Sequence, residues 1–349
     1  MSYEKITDVR DLFDTEFRAW WEGAHGTAYL VFEDEERNGE PVCCVYWRDD
    51  QYSLEADPRS WKQLDEGTAS LSGNLLRIAT EYGYDTILEL DCLGASRREG
   101  DPDSVCWVTG DLHGELPSTC RLANHRWPAA ETLTERDYVI VCGDFGYVWS
   151  GDDVVDDVSL DWFAERPWTT LFVDGNHENH ELLSAYPVER WHGGLTHVIR
   201  SNVRHLMRGQ VFEDIAGARV LAMGGASSHD REWREEDVDW WPEELPDERD
   251  FAECRRNLDA CGWKVDYVVT HEAPANVADF LCEQKGREFD AANGGDRHQR
   301  FLQELYDRLD YRHWYFGHYH ANCDIADARE MTLIFGRVIR LGEHFEEVA

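Results

Sequence analysis

Five short apolar runs in this chain each end on a side chain able to bind a metal ion, and that repetition constrains the fold more than any other feature. Val105-Cys106-Trp107-Val108 runs into Gly110-Asp111-Leu112-His113-Gly114, and Tyr138-Val139-Ile140-Val141-Cys142 runs into Gly143-Asp144. Thr170-Leu171-Phe172-Val173 leads into Asp174-Gly175-Asn176-His177-Glu178. Tyr267-Val268-Val269-Thr270 then delivers His271, and His313-Trp314-Tyr315-Phe316 delivers Gly317-His318-Tyr319-His320. A single Asp-x-His arises by chance in many chains, where the aspartate merely caps a helix. Five strand ends with the same layout instead point to an open α/β sheet whose loops converge over its carboxyl edge.

Between those strands, helices are expected at 159–166, 178–186, 250–261 and 298–309, with a hairpin pairing Gln210–Ile215 and Arg219–Met223. A second hairpin is expected from Met331–Phe335 and Val338–Leu341, turning at Gly336-Arg337. Ahead of Ser104 the pattern changes. A helical stripe over 6–21 precedes a hairpin of Ala28–Phe32 and Val42–Trp47, followed by a helix near 72–82 and a strand at Thr86–Leu90. With 349 residues exceeding the usual size of one domain, the polar stretch Gly94–Asp103 reads as a linker. The organisation expected is a small α+β unit over 1–102, without a visible catalytic constellation, and a larger domain over 103–349.

The net charge of -37, with only four lysines, repels polyanions and argues against duplex nucleic acid as a partner. The ten cysteines contain no Cys-x-x-Cys pair and read as reduced structural thiols; the neighbours Cys43 and Cys44 would face opposite ways in a strand. No apolar run reaches bilayer length, and the amino terminus lacks the apolar core of a signal peptide. A cytoplasmic protein without a membrane partner is the expectation; the sequence leaves its oligomeric state open.

Taken in order, Gly-Asp-Leu-His-Gly, Gly-Asp-Phe-Gly, Gly-Asn-His-Glu, Thr-His-Glu-Ala-Pro and Gly-His-Tyr-His resemble the motifs of the calcineurin-like metallophosphoesterase family over roughly residues 104–325. The stretches Gly224–Arg234 and Trp240–Glu244 resemble a bacterial and phage branch of it. This resemblance implies an α/β fold, a four-layer sandwich of two mixed sheets flanked by helices. It also implies two divalent metal ions. Asp111, His113 and His320 would hold one, Asn176, His271 and His318 the other, with Asp144 bridging and His177 matching the leaving-group acid. Mixed carboxylate, amide and imidazole donors suit Mn, Fe, Zn or Ni. The implied reaction is hydrolysis of a phosphate mono- or diester by a metal-bridging hydroxide, with a small-molecule or nucleotide substrate favoured.

One departure bears on substrate. The phosphoprotein phosphatases continue the second motif into Asp-Arg-Gly, whereas here it reads Asp144-Phe145-Gly146-Tyr147. The phosphate-gripping arginine of that group is missing from this place, and Arg231 or Arg234 is the candidate replacement, against a plain ion-pairing role with Glu232, Glu235 or Glu236. A phosphoprotein phosphatase or nuclease using the same metals, and a non-catalytic metal-binding interaction module, are the alternatives. Trp240-Trp241 would wall the site or pack in the core. His125, His180, His192, His197, His205 and His313 read as structural.

Overall fold

The computed structural model describes residues 9, 16–21, 24–37, 40–49, 62–72, 75–80, 85–90, 104–150, 153–284, 289–325 and 330–345. Two compact units emerge, Met1–Arg98 with Arg121–Thr132, and Glu99–Cys120 with Leu133–Ala349. The linker expected over Gly94–Asp103 lies outside the described residues.

The first unit is built from strands β1 (Glu16–Trp21), β2 (Ala24–Arg37), β3 (Glu40–Asp49), β4 (Lys62–Ser72), β5 (Leu75–Ala79) and β6 (Asp85–Leu90). Each pairs antiparallel with the next, and β6 returns to β1 with Ala19 opposite Leu90, closing a barrel. Ala28, Leu30, Cys43, Val45, Trp47, Leu76, Ile78 and Leu88 share one core, so the apolar positions repeat every second residue. Where the helices expected in this unit overlap the described residues from Glu16 onward, the chain forms strands instead. The stretch expected to be helical over 72–82 contains strand β5, because Leu76 and Ile78 point inward while Arg77 between them is exposed. The helix expected over 6–21 overlaps β1, which pairs with β2 from Glu16 opposite Tyr29 to Trp21 opposite Ala24; its earlier part falls mostly outside the described residues. Cys43 belongs to the barrel core, whereas Cys44 lies beside Glu66, 3.7 Å from its Oε2.

The second unit contains β7 (Cys106–Thr109), β8 (Tyr138–Val141), α1 (Asp153–Ala164), β9 (Thr169–Phe172), α2 (His180–Ala185), β10 (Val188–Trp191), β11 (Gly194–Arg200) and β12 (Val203–Leu206). There follow β13 (Gln210–Ile215), β14 (Ala218–Met223), α3 (Glu248–Ala260), β15 (Tyr267–Thr270), α4 (Ala275–Gln284), α5 (Arg297–Arg308), β16 (His313–Phe316), β17 (Cys323–Asp324), β18 (Met331–Leu333) and β19 (Val338–Arg340). These strands form two mixed sheets, of order β10-β11-β12-β9-β8-β7-β19 and β13-β14-β15-β16-β18-β17. In the first, β12, β9, β8 and β7 run parallel; in the second, β14, β15, β16 and β18 do.

Period-two alternation explains why these parallel strands read as continuous apolar runs: both of their faces are buried. Val220, Ala222, Val269 and Tyr315 of the second sheet pack against Val108, Ile140 and Leu171 of the first. Their neighbours in sequence, Leu221, Met223, Val268 and Trp314, face the other way, onto Phe251, Leu258, Leu281 and Leu302 of the outer helices. Helix, sheet, sheet and helix therefore stack in layers, with α1 lying on β11 and β12.

Helices α3 and α5 start two residues and one residue ahead of expectation, because Asp247 and Asp296 close capping boxes with Asp250 and Gln299. Helix α4 and the strands β10 to β12 were not expected. The last expected hairpin is not one: β18 joins the second sheet and β19 the first. The chain crosses between sheets after Ile334, whose N–H still bonds Phe316 O, while Phe335 O already accepts from Gly110 N.

On α5, His298 is fully buried, and burial first and the Arg208 guanidinium second push its pKa from 6.5 down to about 3. Between those values the unfolded chain binds a proton that the folded chain refuses, so stability falls as pH drops through that window. His298→Leu is expected to flatten the acid limb of the stability curve by up to about 1.4 kcal/mol per pH unit. Urea titrations from pH 6.5 to 4 would show it, and an unchanged slope would refute it.

Candidate metal centre

The registers of the parallel strands bring the five loops together. Thr109 lies opposite Val141, Val141 opposite Phe172, and Met223 opposite Thr270, so each sheet delivers its loops at one level. Short backbone bonds then knit the loops to one another. Leu112 N and His113 N both donate to Asp144 O, at 2.9 and 2.8 Å, and Gly317 N donates to His271 O at 3.1 Å. His318 N donates to both carboxylate oxygens of Asp111 at 3.2 Å.

Glycines permit this crowding. A Cβ at Gly175 would sit 2.1 Å from Asp144 Oδ1, one at Gly317 2.3 Å from Asp111 Oδ1, and one at Gly143 2.2 Å from His271 Nδ1. The backbone itself is forced. Four of the ten described non-glycine residues with positive φ are here: His113, Asp144, His318 and His320, at 47, 47, 68 and 46°, a region costly for residues with a side chain. Such strain persists only where the surroundings impose it, and it collects at functional sites.

Within this frame the structure brings together all seven side chains singled out as ligands. Asp111, His113, Asp144 and His320 place one donor atom each within 4.8 Å of the rest. His113 Nε2 and His320 Nε2 face each other at 3.0 Å, and His320 Nε2 lies 3.2 Å from Asp111 Oδ2. Both aspartates are buried, whereas the His113 and His320 side chains are 32 and 46% exposed, which leaves one side of the group open to solution. Behind it, His271 Nε2 lies 3.3 Å from Asp144 Oδ1 and 3.3 Å from Asn176 Oδ1. The His318 ring centroid is 5.0 Å from that of His271.

The electrostatics fit a cation. Burial lowers the pKa of His113, against the pull of Asp144 and Asp111, and burial with His271 and His229 nearby holds His318 well below its ordinary value. Both rings are thus neutral and keep a lone pair near pH 7. His271 differs. Burial opposes its protonation, yet the Asp144 carboxylate, and then Asp111, raise it to about 10. Its Nδ1 faces Cys142 O at 2.7 Å and must carry hydrogen, while Nε2 faces two oxygens. A neutral imidazole would aim a lone pair at both oxygens, so the geometry demands positive charge there, from a proton or a metal ion. Asp144 accordingly falls far below the usual carboxylate range despite full burial.

Glu178 clamps two of these loops. Its Oε1 accepts from Phe145 N at 2.6 Å and its Oε2 from Gly175 N at 2.7 Å, while burial first and the Asp144 charge second push its pKa up to about 8. Asp174 is buried below them, where His205 Nε2 at 3.0 Å and Arg208, at 2.9 and 2.5 Å, overcome the burial penalty and hold its pKa well below 3.8. Ser228 and Glu244 bond to each other beside Asn176. Sequence reasoning missed Asp174, Arg208, Ser228 and Glu244. Only Asp174 carried a signal, as the carboxylate opening the Asp-Gly-Asn-His turn.

His177 donates its backbone N–H to Asp144 Oδ1 at 2.8 Å, and its ring lies 5.1 Å from that of His113. Of the two candidate arginines, Arg234 is the one at this ring. Its Nη2 lies 3.2 and 3.3 Å from the His177 nitrogens, and Asp230, at 2.7 Å, tethers it. Arg231 instead stacks over the Trp240 indole at 4.1 Å. Trp240 and Trp241 are buried, and Trp241 meets Trp149, which neighbours His177. Phe145, which follows Asp144, is wholly buried and stacked on Phe172 at 4.3 Å. Among the described residues, no helix is long and apolar enough to cross a membrane.

Residues 105–322 match the family model for calcineurin-like phosphoesterases. Among solved structures, the chain is similar to the sulfate thiohydrolase SoxB of Thermus thermophilus in complex with glycerol, at 12% identity and a TM-score of 0.33. That likeness covers 68% of this chain and 52% of the other, so this chain spans about half the length of SoxB. No curated protein matches the chain.

Proposed function

Since the chain belongs to the calcineurin-like phosphoesterase family, we propose that it is a metal-dependent hydrolase of phosphate mono- or diesters, with a small-molecule or nucleotide substrate. The observation that carries this reading is the convergence of seven donor side chains from five strand ends around Asp144, beside His177. Asp111, His113 and His320 would hold one divalent ion, and Asn176, His271 and His318 a second, with Asp144 shared. Manganese, iron, zinc and nickel suit such a donor set. Bound there, the ions supply Lewis-acid charge against the phosphoryl oxygens and make water a nucleophile near neutral pH.

The chain's own groups do the rest. The half-open side between His113 and His320 is where a phosphoryl group would enter. Arg234, fixed by Asp230, offers guanidinium N–H groups to its oxygens. His177, pushed down by burial and then by the Arg234 charge, against the pull of Asp144, keeps a lone pair near neutrality. An anionic phosphoryl group between Arg234 and the ring would raise it, readying His177 Nε2 or Nδ1 to give a proton to the leaving oxygen. Trp149 forms a neighbouring wall.

Metal-stripped protein titrated with manganese, nickel or zinc tests the proposal. Hydrolysis of p-nitrophenyl phosphate or bis-p-nitrophenyl phosphate is expected to appear on metal addition and to vanish with chelator. Preference between the two esters would assign phosphatase or phosphodiesterase. Silence on both, with metal bound, would favour a narrow substrate or the interaction-module reading.

A further inference from the structure

We propose that Ser228 and Glu244 form a positioning relay that fixes which end of the Asn176 amide faces the metal centre; the inference rests on the metal-centre reading above. The problem it solves is one of symmetry. An amide side chain has an oxygen that can bind a cation and a nitrogen that cannot, and the two ends are nearly alike in shape. Asn176 is buried, its Oδ1 lying 3.3 Å from His271 Nε2. Nothing in its own motif dictates that the oxygen rather than the nitrogen points that way.

The relay supplies the direction. Glu244, only 2% exposed, accepts Ser228 N at Oε1 over 2.9 Å and Ser228 Oγ at Oε2 over 2.6 Å. Both Glu244 oxygens accept from Ser228, so the single hydroxyl hydrogen of Ser228 is committed to Glu244. What remains on Ser228 Oγ is lone pairs, and Asn176 Nδ2 donates to them at 3.2 Å. With Nδ2 so engaged, Oδ1 must face His271. Ser228 follows the turn after β14, and Glu244 closes the short 3-10 helix Pro242–Glu244, so neither belongs to a motif strand. The bound carboxylate thus dictates a hydrogen-bond polarity that ends on a ligand atom two residues away.

Glu244→Gln and Ser228→Ala break the polarity in different ways. The glutamine amide can donate to Ser228 Oγ, which frees the hydroxyl hydrogen to bond Asn176 Oδ1 and turns Nδ2 toward the site. The alanine leaves Nδ2 without its acceptor. Manganese titration of the full chain by calorimetry, with the manganese electron-spin signal as a second readout, tests this. The unsubstituted protein is expected to bind two equivalents with a spin-coupled signal. Each variant should bind one equivalent nearly normally and the other about 10- to 100-fold more weakly, the range for outer-shell partners of metal ligands, with an uncoupled signal. Ser228→Thr, which keeps the hydroxyl, should restore the second equivalent.

If folded Glu244→Gln protein binds both equivalents as tightly as the unsubstituted chain, the relay is wrong while the two-metal reading stands. Loss of both equivalents together would also overturn it, marking a general structural role. An unsubstituted chain that binds no manganese would bring down the two-metal reading and the relay with it. Should Ser228→Ala fail to fold, the nearly isosteric Glu244→Gln decides.

Discussion

Asp144→Asn is expected to reduce turnover by about 10³-fold or more while leaving the chain folded. Asp144 sits at the junction of both donor groups: its Oδ2 lies 3.8 Å from His113 Nε2, and its Oδ1 lies 3.3 Å from His271 Nε2 and accepts His177 N. Asparagine keeps the shape and one acceptor but removes the negative charge that would hold two cations together. Transition-state charge stabilisation by bound metals is worth several kcal/mol, and each 1.36 kcal/mol is tenfold in rate. Some stability should also be lost, because Asp144 is held far below the usual carboxylate range and its charge therefore favours the folded chain. Rates on both nitrophenyl esters with metal in excess, alongside circular dichroism, measure the two halves. A metal-loaded variant working at the unsubstituted rate would sink the proposed centre.

Arg208→Leu is expected to destabilise the second unit by about 3–5 kcal/mol, the range for breaking one side of a buried pair. Arg208 donates to Asp174 at 2.9 and 2.5 Å and also to the carbonyls of Glu243 and Glu244. Without it, Asp174 is a buried carboxylate supported mainly by His205. Denaturation with urea, followed by tryptophan fluorescence, reads the loss. Adding Asp174→Asn should recover part of it, since the orphaned charge goes too. If the single variant matched the unsubstituted chain, the pair would not be the strut under the Asn176 turn. Acid has the related effect: with the Asp174 pKa held below 3.8, its contribution is present at neutral pH and declines as pH falls through its folded pKa.

The gathering of the donor side chains at the strand ends was legible because parallel strands buried on both faces leave unbroken apolar runs, and each run halts abruptly at a glycine or a polar side chain. Nothing comparable marks the barrel. Leu75, Leu76 and Ile78 are spaced as a helix would space them, and only pairing with β4 and β6, on either side, settles the matter for strand. Helix α4 was readable in principle, since Val277, Ala278, Leu281 and Cys282 repeat at helical spacing after Pro274. The Ser228–Glu244 pair was not: sixteen residues separate the two, and only the folded loop brings them together. Arg234 and Arg231 looked equivalent in sequence, and the fold separates them through Asp230 on one side and Trp240 on the other.

Strand β19 has a consequence in time. It pairs with β7, Val338 opposite Thr109, so the strand that leads to Asp111 gains its second neighbour only from a segment more than two hundred residues later. His318 and His320 also arrive late, after β16. A ribosome adding about 5–20 residues per second spends on the order of ten seconds or more between the two segments. Through that interval Asp111, His113 and Asp144 emerge without their distant partners. The proposed metal centre can therefore close only after the segment carrying His318, His320 and β19 has been made.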